Sequence, residues 1–192
     1  MPESDLAARL EAALDGALGA KRARHSRAVA ALAAELCERE GLDPERGRVA
    51  GLAHDLCRAL PAAIQAELAA ACPVPRAAEL AANARFAHGP AAATVLASEY
   101  GCSDPDILEA VAFHTLPRPD SGVLTRILYL ADKNEPGREF LDPAERERIV
   151  ALPLAEAFRL SVEAVVVWIR SEGLPLAPET ADLYDSVRVS VP

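Results

Sequence analysis

Aromatic residues are scarce in this chain, at 4% of 192 residues with a single tryptophan. Sheets draw on aromatic and β-branched side chains, so the scarcity, beside abundant alanine and leucine, disfavours a β-rich fold and favours helices. Cysteine is sparse too. Cys37, Cys57, Cys72 and Cys102 stand far apart and form no Cys-x-x-Cys pair. A disulfide framework is therefore not expected; free thiols in a reducing cytoplasm are. Positive charge is in deficit, with a formal net charge of −9. Duplex nucleic acid, which needs a basic stripe to displace counterions, is not an expected partner. Long apolar runs are missing as well. The longest, Ala164 to Ile169, is too short to span a bilayer. The acidic start, Met1-Pro2-Glu3-Ser4-Asp5, has neither the basic nor the apolar region of a signal peptide. No membrane attachment is expected, and the localisation read from this is cytoplasmic.

What is present is a helical pattern. Hydrophobic residues make up 51% and charged residues 26%, a globular balance. Punctuation divides the chain into helices from Ser4 to Leu18 and from Lys21 to Glu40. The second places His25, Val29, Leu32 and Leu36 on one face. Asp43-Pro44 and Asp104-Pro105 read as an N-cap followed by proline at the first helical position, and Asp142-Pro143 opens a further short helix. The Asp43 helix is expected to run through Leu56. Further helices are expected over Pro61–Ala71, from Gly89-Pro90 to Gly101, over Val123–Lys133 and over Pro153–Glu172, with residues 76–87 ambiguous. The tail, Gly173 to Pro192, reads as irregular, although Val187, Val189 and Val191 alternate. The Val165-Val166-Val167-Trp168 stripe reads as core. The whole is expected to be one all-α domain spanning residues 1–192, since no repeat, linker or low-complexity tract breaks it.

The chain has four histidines, and each lies on or beside an apolar helical stretch. One buried histidine is ordinarily a satisfied core residue. Several together are costly unless paired or bound to metal. His54 is followed by Asp55, and neighbours on a helix point about 100° apart, so both reach one ion only at a helix end. Imidazole and carboxylate without thiolate suit divalent iron, manganese, cobalt or zinc, in an open site that can lower the pKa of water and neutralise phosphate charge.

The order His25, His54-Asp55, His88, His114, Asp132 resembles the HD superfamily of metal-dependent phosphohydrolases. Its companions are Arg22-Ala23-Arg24-His25-Ser26, Gly51-Leu52-Ala53-His54-Asp55-Leu56-Cys57-Arg58, His88-Gly89-Pro90 and Phe113-His114-Thr115. The last is Tyr129-Leu130-Ala131-Asp132-Lys133-Asn134-Glu135-Pro136-Gly137-Arg138. Together they resemble the YqeK-type branch, the symmetrical diadenosine tetraphosphate (Ap4A) hydrolases, over about residues 20–180. The resemblance implies a single helical HD bundle and an iron-dependent cleavage of Ap4A to two ADP by a metal-activated water, with manganese or cobalt as substitutes. It implies His25, His54, Asp55 and Asp132 as metal ligands, with His54 and Asp55 catalytic. It further implies that His25, Asp55, Arg58, His88, His114, Thr115, Asp132 and Arg138 contact nucleotide or phosphate, joined by the stretch holding Arg170, Gly173 and Pro175. A homodimer is left open.

Some positions depart from that pattern. Arg58 stands where the family usually has lysine, which replaces a point charge with a planar fork. Asn134 replaces an isoleucine, and Ala87 replaces an aromatic residue. His88 and His114 are expected to meet phosphate as cations or to complete a second metal position, the first being preferred. Glu135 is expected to hold the loop or a basic side chain. Another HD phosphohydrolase activity and a non-catalytic ADP-binding module are the competing functions.

Overall fold

The computed structural model describes residues 3–189. Ten α-helices and one 3₁₀ helix are present, and no strand occurs among the described residues. In order they are α1 (Glu3–Leu18), α2 (Ala20–Arg39), α3 (Pro44–Ala53), α4 (Ala62–Ala70), the 3₁₀ helix (Ala77–Ala82), α5 (His88–Ser98), α6 (Pro105–Phe113), α7 (Val123–Asn134), α8 (Pro143–Ala151), α9 (Leu154–Ser171) and α10 (Pro178–Val189).

The three Asp-Pro signals work as read. The carboxylate of Asp43 accepts from the backbone N–H of Glu45, that of Asp104 from Asp106 and Ile107, and that of Asp142 from Ala144 and Glu145. Each satisfies amide groups that the first helical turn leaves unpaired. The core is aliphatic. Leu10 and Leu14 of α1, Leu96 of α5, Ile107 of α6 and Ile127, Leu128 and Leu130 of α7 are fully buried in it. The closest helix approach is α2 against α3. A Cβ built on Gly47 would lie 2.5 Å from the Ala33 carbonyl oxygen, and one on Gly51 would lie 2.4 Å from Ala30 Cα. The two missing side chains let the α3 backbone lie against α2, which brings the end of α3 beside His25.

Several expectations are corrected. α3 stops at Ala53, and residues 54–59 are turns. The stretch read as ambiguous, 76–87, resolves into the short 3₁₀ helix and a loop, in keeping with that reading, while α5 begins at His88, one residue before Gly89. The tail is not irregular, because α10 occupies it. Leu183 and Tyr184 are buried in a cluster with Phe86, Leu116, Tyr129, Phe158, Val162 and Val166, against which Val187 also packs. The 3-to-4 spacing of Leu183, Tyr184 and Val187 outweighs the period-2 alternation, whose last member, Val191, lies outside the described residues. The valine stripe is not all core: Val166 is buried, but Val167 and Trp168 are 58% and 40% exposed. Consecutive helical residues cannot share one face.

Candidate metal and phosphate site

The site collects at helix ends and around the first turns of α2. His54 is the C-cap residue of α3 and His114 that of α6. A helix end leaves its last carbonyls without amide partners. Each ring uses one of them: His54 Nδ1 donates to the Gly51 carbonyl at 2.7 Å, and His114 Nδ1 to the Val111 carbonyl at 2.8 Å. These bonds assign the hydrogen to Nδ1 and turn the Nε2 lone pair of each ring inward. Asp55, one residue beyond the α3 C-cap, projects to the same point, as the helix-end argument requires.

Around Asp55 the imidazoles converge. Its Oδ1 lies 3.4 Å from His88 Nε2 and 3.9 Å from His114 Nε2, and its Oδ2 lies 3.8 Å from His54 Nε2. The donor atoms of His25, His54 and Asp55 lie within 4.8 Å of one another, and so do those of Asp55, His88 and His114. Asp132, from α7, closes the other side, with Oδ1 at 3.0 Å from His25 Nε2 and 3.8 Å from His54 Nε2. Burial raises the Asp132 carboxyl, but Lys133 and Arg138 outweigh it and hold the group well below the usual carboxylate range.

The donor set fits a divalent cation. His54 Nε2 is buried with no hydrogen-bond partner, and it faces two carboxylates. Burial pushes the His54 pKa down, so the ring is neutral. A lone pair aimed at carboxylate oxygens is repulsive unless a cation stands between them. Burial likewise lowers His114 well below the ordinary value, and burial followed by the nearby Arg58 charge brings His88 down to about 4. Burial disfavours the charged form of both rings, which weighs against the expectation that they meet phosphate as cations.

Both donor groups border a cavity of about 790 Å³. Six of the chain's 20 lysines and arginines line it, namely Lys21, Arg22, Arg24, Arg58, Lys133 and Arg138, against three acids, Asp55, Asp132 and Glu135. His25, His88, His114 and Thr115 line it as well. Arg58 Nη1 lies 2.8 Å from His88 Nδ1, Thr115 Oγ1 lies 2.9 Å from His114 Nε2, and Arg138 reaches Asp132 and the Asp132 carbonyl. Arg170, Gly173 and Pro175 are not among the lining residues. Arg170 stacks over Tyr184, and the Pro175 carbonyl accepts from Arg85 at 3.5 Å. Arg22 had been given no role, yet its Nη1 lies 3.2 Å from Asp55 Oδ2. The signal for it was available: three cations within the first five residues of α2 oppose the helix dipole, which favours negative charge at that end.

A helical bundle with this histidine-aspartate arrangement defines an HD-type site, and the HD-domain family model matches residues 22–137. The chain belongs to the HD-domain family and, within it, to the YqeK-type branch. A Bacillus subtilis relative, the symmetrical bis(5'-nucleosyl)-tetraphosphatase, is 30% identical over 161 residues, covering 84% of this chain and 86% of the relative. A Staphylococcus aureus protein of the same description is 31% identical over 62% of this chain and 60% of its own length. A solved Clostridium acetobutylicum structure, described as a predicted HD superfamily hydrolase involved in NAD metabolism, superposes with a TM-score of 0.83. It shares 30% identity and covers 95% of this chain and 97% of that one.

Proposed function

We propose that this HD-domain hydrolase cleaves bis(5'-nucleosyl) tetraphosphates symmetrically, Ap4A to two ADP, in the cytoplasm. The observation that carries the reading is a cavity rimmed by six cations in a chain of net charge −9, with the two donor groups sharing Asp55 along its wall. An acidic protein that gathers cations at one cavity is built to hold a polyanion. The relatives of that description add weight.

His25, His54, Asp55 and Asp132 would hold a divalent ion, iron first and manganese or cobalt as substitutes. Such an ion would lower the pKa of water toward 7 and offset charge on phosphate oxygens. Arg58, Lys133 and Arg138 pair with the phosphates; arginine does so through two parallel N–H groups. Thr115 offers a hydroxyl. The catalytic pair of the reading is His54 and Asp55, which hold the reacting centre at the helix end. Arg170, Gly173 and Pro175 would reach the nucleoside only by approach of the C-terminal segment to the cavity.

One observation favours a second metal position over phosphate contact for His114. Its Nε2 belongs with donor atoms of Asp55 and His88 to a group lying within 4.8 Å of one another, a spacing that suits an ion. Two ions per chain, falling to one in His114→Ala, would support that assignment; one ion in both would sink it.

Product analysis by ion-exchange chromatography tests the function. Stripped protein reconstituted with ferrous, manganous or cobaltous ion is expected to give ADP as sole product from Ap4A. ATP plus AMP would refute the symmetrical cut. Orthophosphate from AMP would favour another HD phosphohydrolase, and tight ADP binding without turnover would favour a non-catalytic binding module.

A further inference from the structure

We infer that Glu135 is the positioning residue that makes His25 a metal ligand, by accepting the Nδ1 hydrogen of the His25 ring. The inference rests on the metal-site part of the proposed function, not on the identity of the substrate.

The argument begins with what each ring does with its outer nitrogen. His54 and His114 end their helices and find a spare carbonyl three residues back. His25 cannot do so. It lies in the interior of α2 (Ala20–Arg39), where carbonyls are taken by the amides of the following turn. Its outer nitrogen needs an acceptor from another element, and Glu135 supplies it 110 residues later, with Oε1 at 3.1 Å from Nδ1. Nε2 then points at Asp132 Oδ1, 3.0 Å away, on the side where the metal donors gather.

The Glu135 carboxylate is itself held in place. It is 5% exposed, and its Oε2 accepts the Gly137 backbone N–H. A Cβ built on Gly137 would lie 3.0 Å from both Glu135 oxygens, so the chain leaves room for the carboxylate at that glycine. The acceptor on His25 differs in kind from those on the other rings. A carbonyl fixes a tautomer; an ionised carboxylate fixes it and also raises the electron density of the ring, which strengthens its bond to a metal. His25 is thereby the most basic imidazole donor of the site, and removing its carboxylate partner weakens metal binding without removing a ligand.

The test compares cobalt affinity of the full chain, measured by chelator competition, with the visible d–d spectrum of bound cobalt and the thermal midpoint of stripped protein. Glu135→Gln is expected to weaken cobalt binding by about 10- to 100-fold and to shift the spectrum. Gly137→Ala, which keeps the charge but crowds the carboxylate, should give a smaller loss in the same direction. Glu139→Gln removes an exposed acid nearby and should leave affinity unchanged. Unchanged affinity in Glu135→Gln overturns the inference, as does an equal loss in Glu139→Gln, or a lowered midpoint of stripped Glu135→Gln protein at unchanged affinity. Wild-type protein that binds no cobalt would overturn it together with the metal reading. Cobalt binding weakened by Glu135→Gln in a protein that leaves Ap4A intact would uphold it and refute only the substrate.

Discussion

The four imidazoles share one residue type but not one role, and the difference lies in what each outer nitrogen meets: a carbonyl for His54 and His114, a carboxylate for His25, a guanidinium for His88. His54 has the orphaned inner nitrogen, so it is the least replaceable. His54→Ala is expected to lower Ap4A turnover by about 10³-fold or more, equivalent to roughly 4 kcal/mol of lost charge stabilisation, with a matching loss of bound metal measured by elemental analysis. The His54-Asp55 pair at a helix end was legible as a local pattern, whereas Asp132 entered as a ligand candidate through the family resemblance. The protonation of His88 and His114 was not legible. A neutral ring is a consequence of burial by other elements, and no local pattern carries it.

At the scale of elements, the site depends on the α2–α3 approach and on the caps. Gly51→Ala would drive a methyl group toward Ala30 at 2.4 Å, backbone against backbone. Overpacking of this kind costs about 1–3 kcal/mol. We expect a lower denaturant midpoint together with weaker metal binding, since α3 carries His54 away from His25. Asp104 makes a separate, pH-dependent contribution. It caps α6 and pairs with Arg46 of α3 at 2.9 Å through a carboxylate only 21% exposed. Burial raises its carboxyl, but Arg46 and the Ile107 and Asp106 amides outweigh this and place it below 3.8. A folded pKa below the unfolded one stabilises above the unfolded value and loses that stabilisation as pH falls. Wild type should therefore exceed Asp104→Asn by about 1 kcal/mol near pH 6, with the gap closing toward pH 3 in parallel urea titrations. The N-caps themselves were readable, being a two-residue code. α10 was not, because its tertiary partners on α9 decide between helix and alternation.

For the whole molecule, an acidic chain with a cationic cavity predicts two responses. Stripping the metal should lower the thermal midpoint by about 5–10 °C relative to protein at a hundredfold excess over the dissociation constant, since the ion binds only the folded arrangement. The shift is read by scanning calorimetry before and after chelation. Replacing Lys21 and Arg24 together with alanine should raise KM for Ap4A several-fold and flatten its salt dependence, while kcat holds, because exposed rim charges act on encounter and binding. No helix of the described residues is long and apolar enough to cross a membrane.

The sequence by itself determined the helical class and the cap positions, since each depends on residues near one another in the chain, and it named the histidines and aspartates that the fold brings together. Only the tertiary structure decided that the valine stripe turns partly outward, that the C-terminal segment is a helix packed away from the cavity, and that Glu135 faces His25. Those outcomes depend on contacts between residues as many as 110 positions apart, as with His25 and Glu135. Burial and hydrogen-bond geometry, not local propensity, set them.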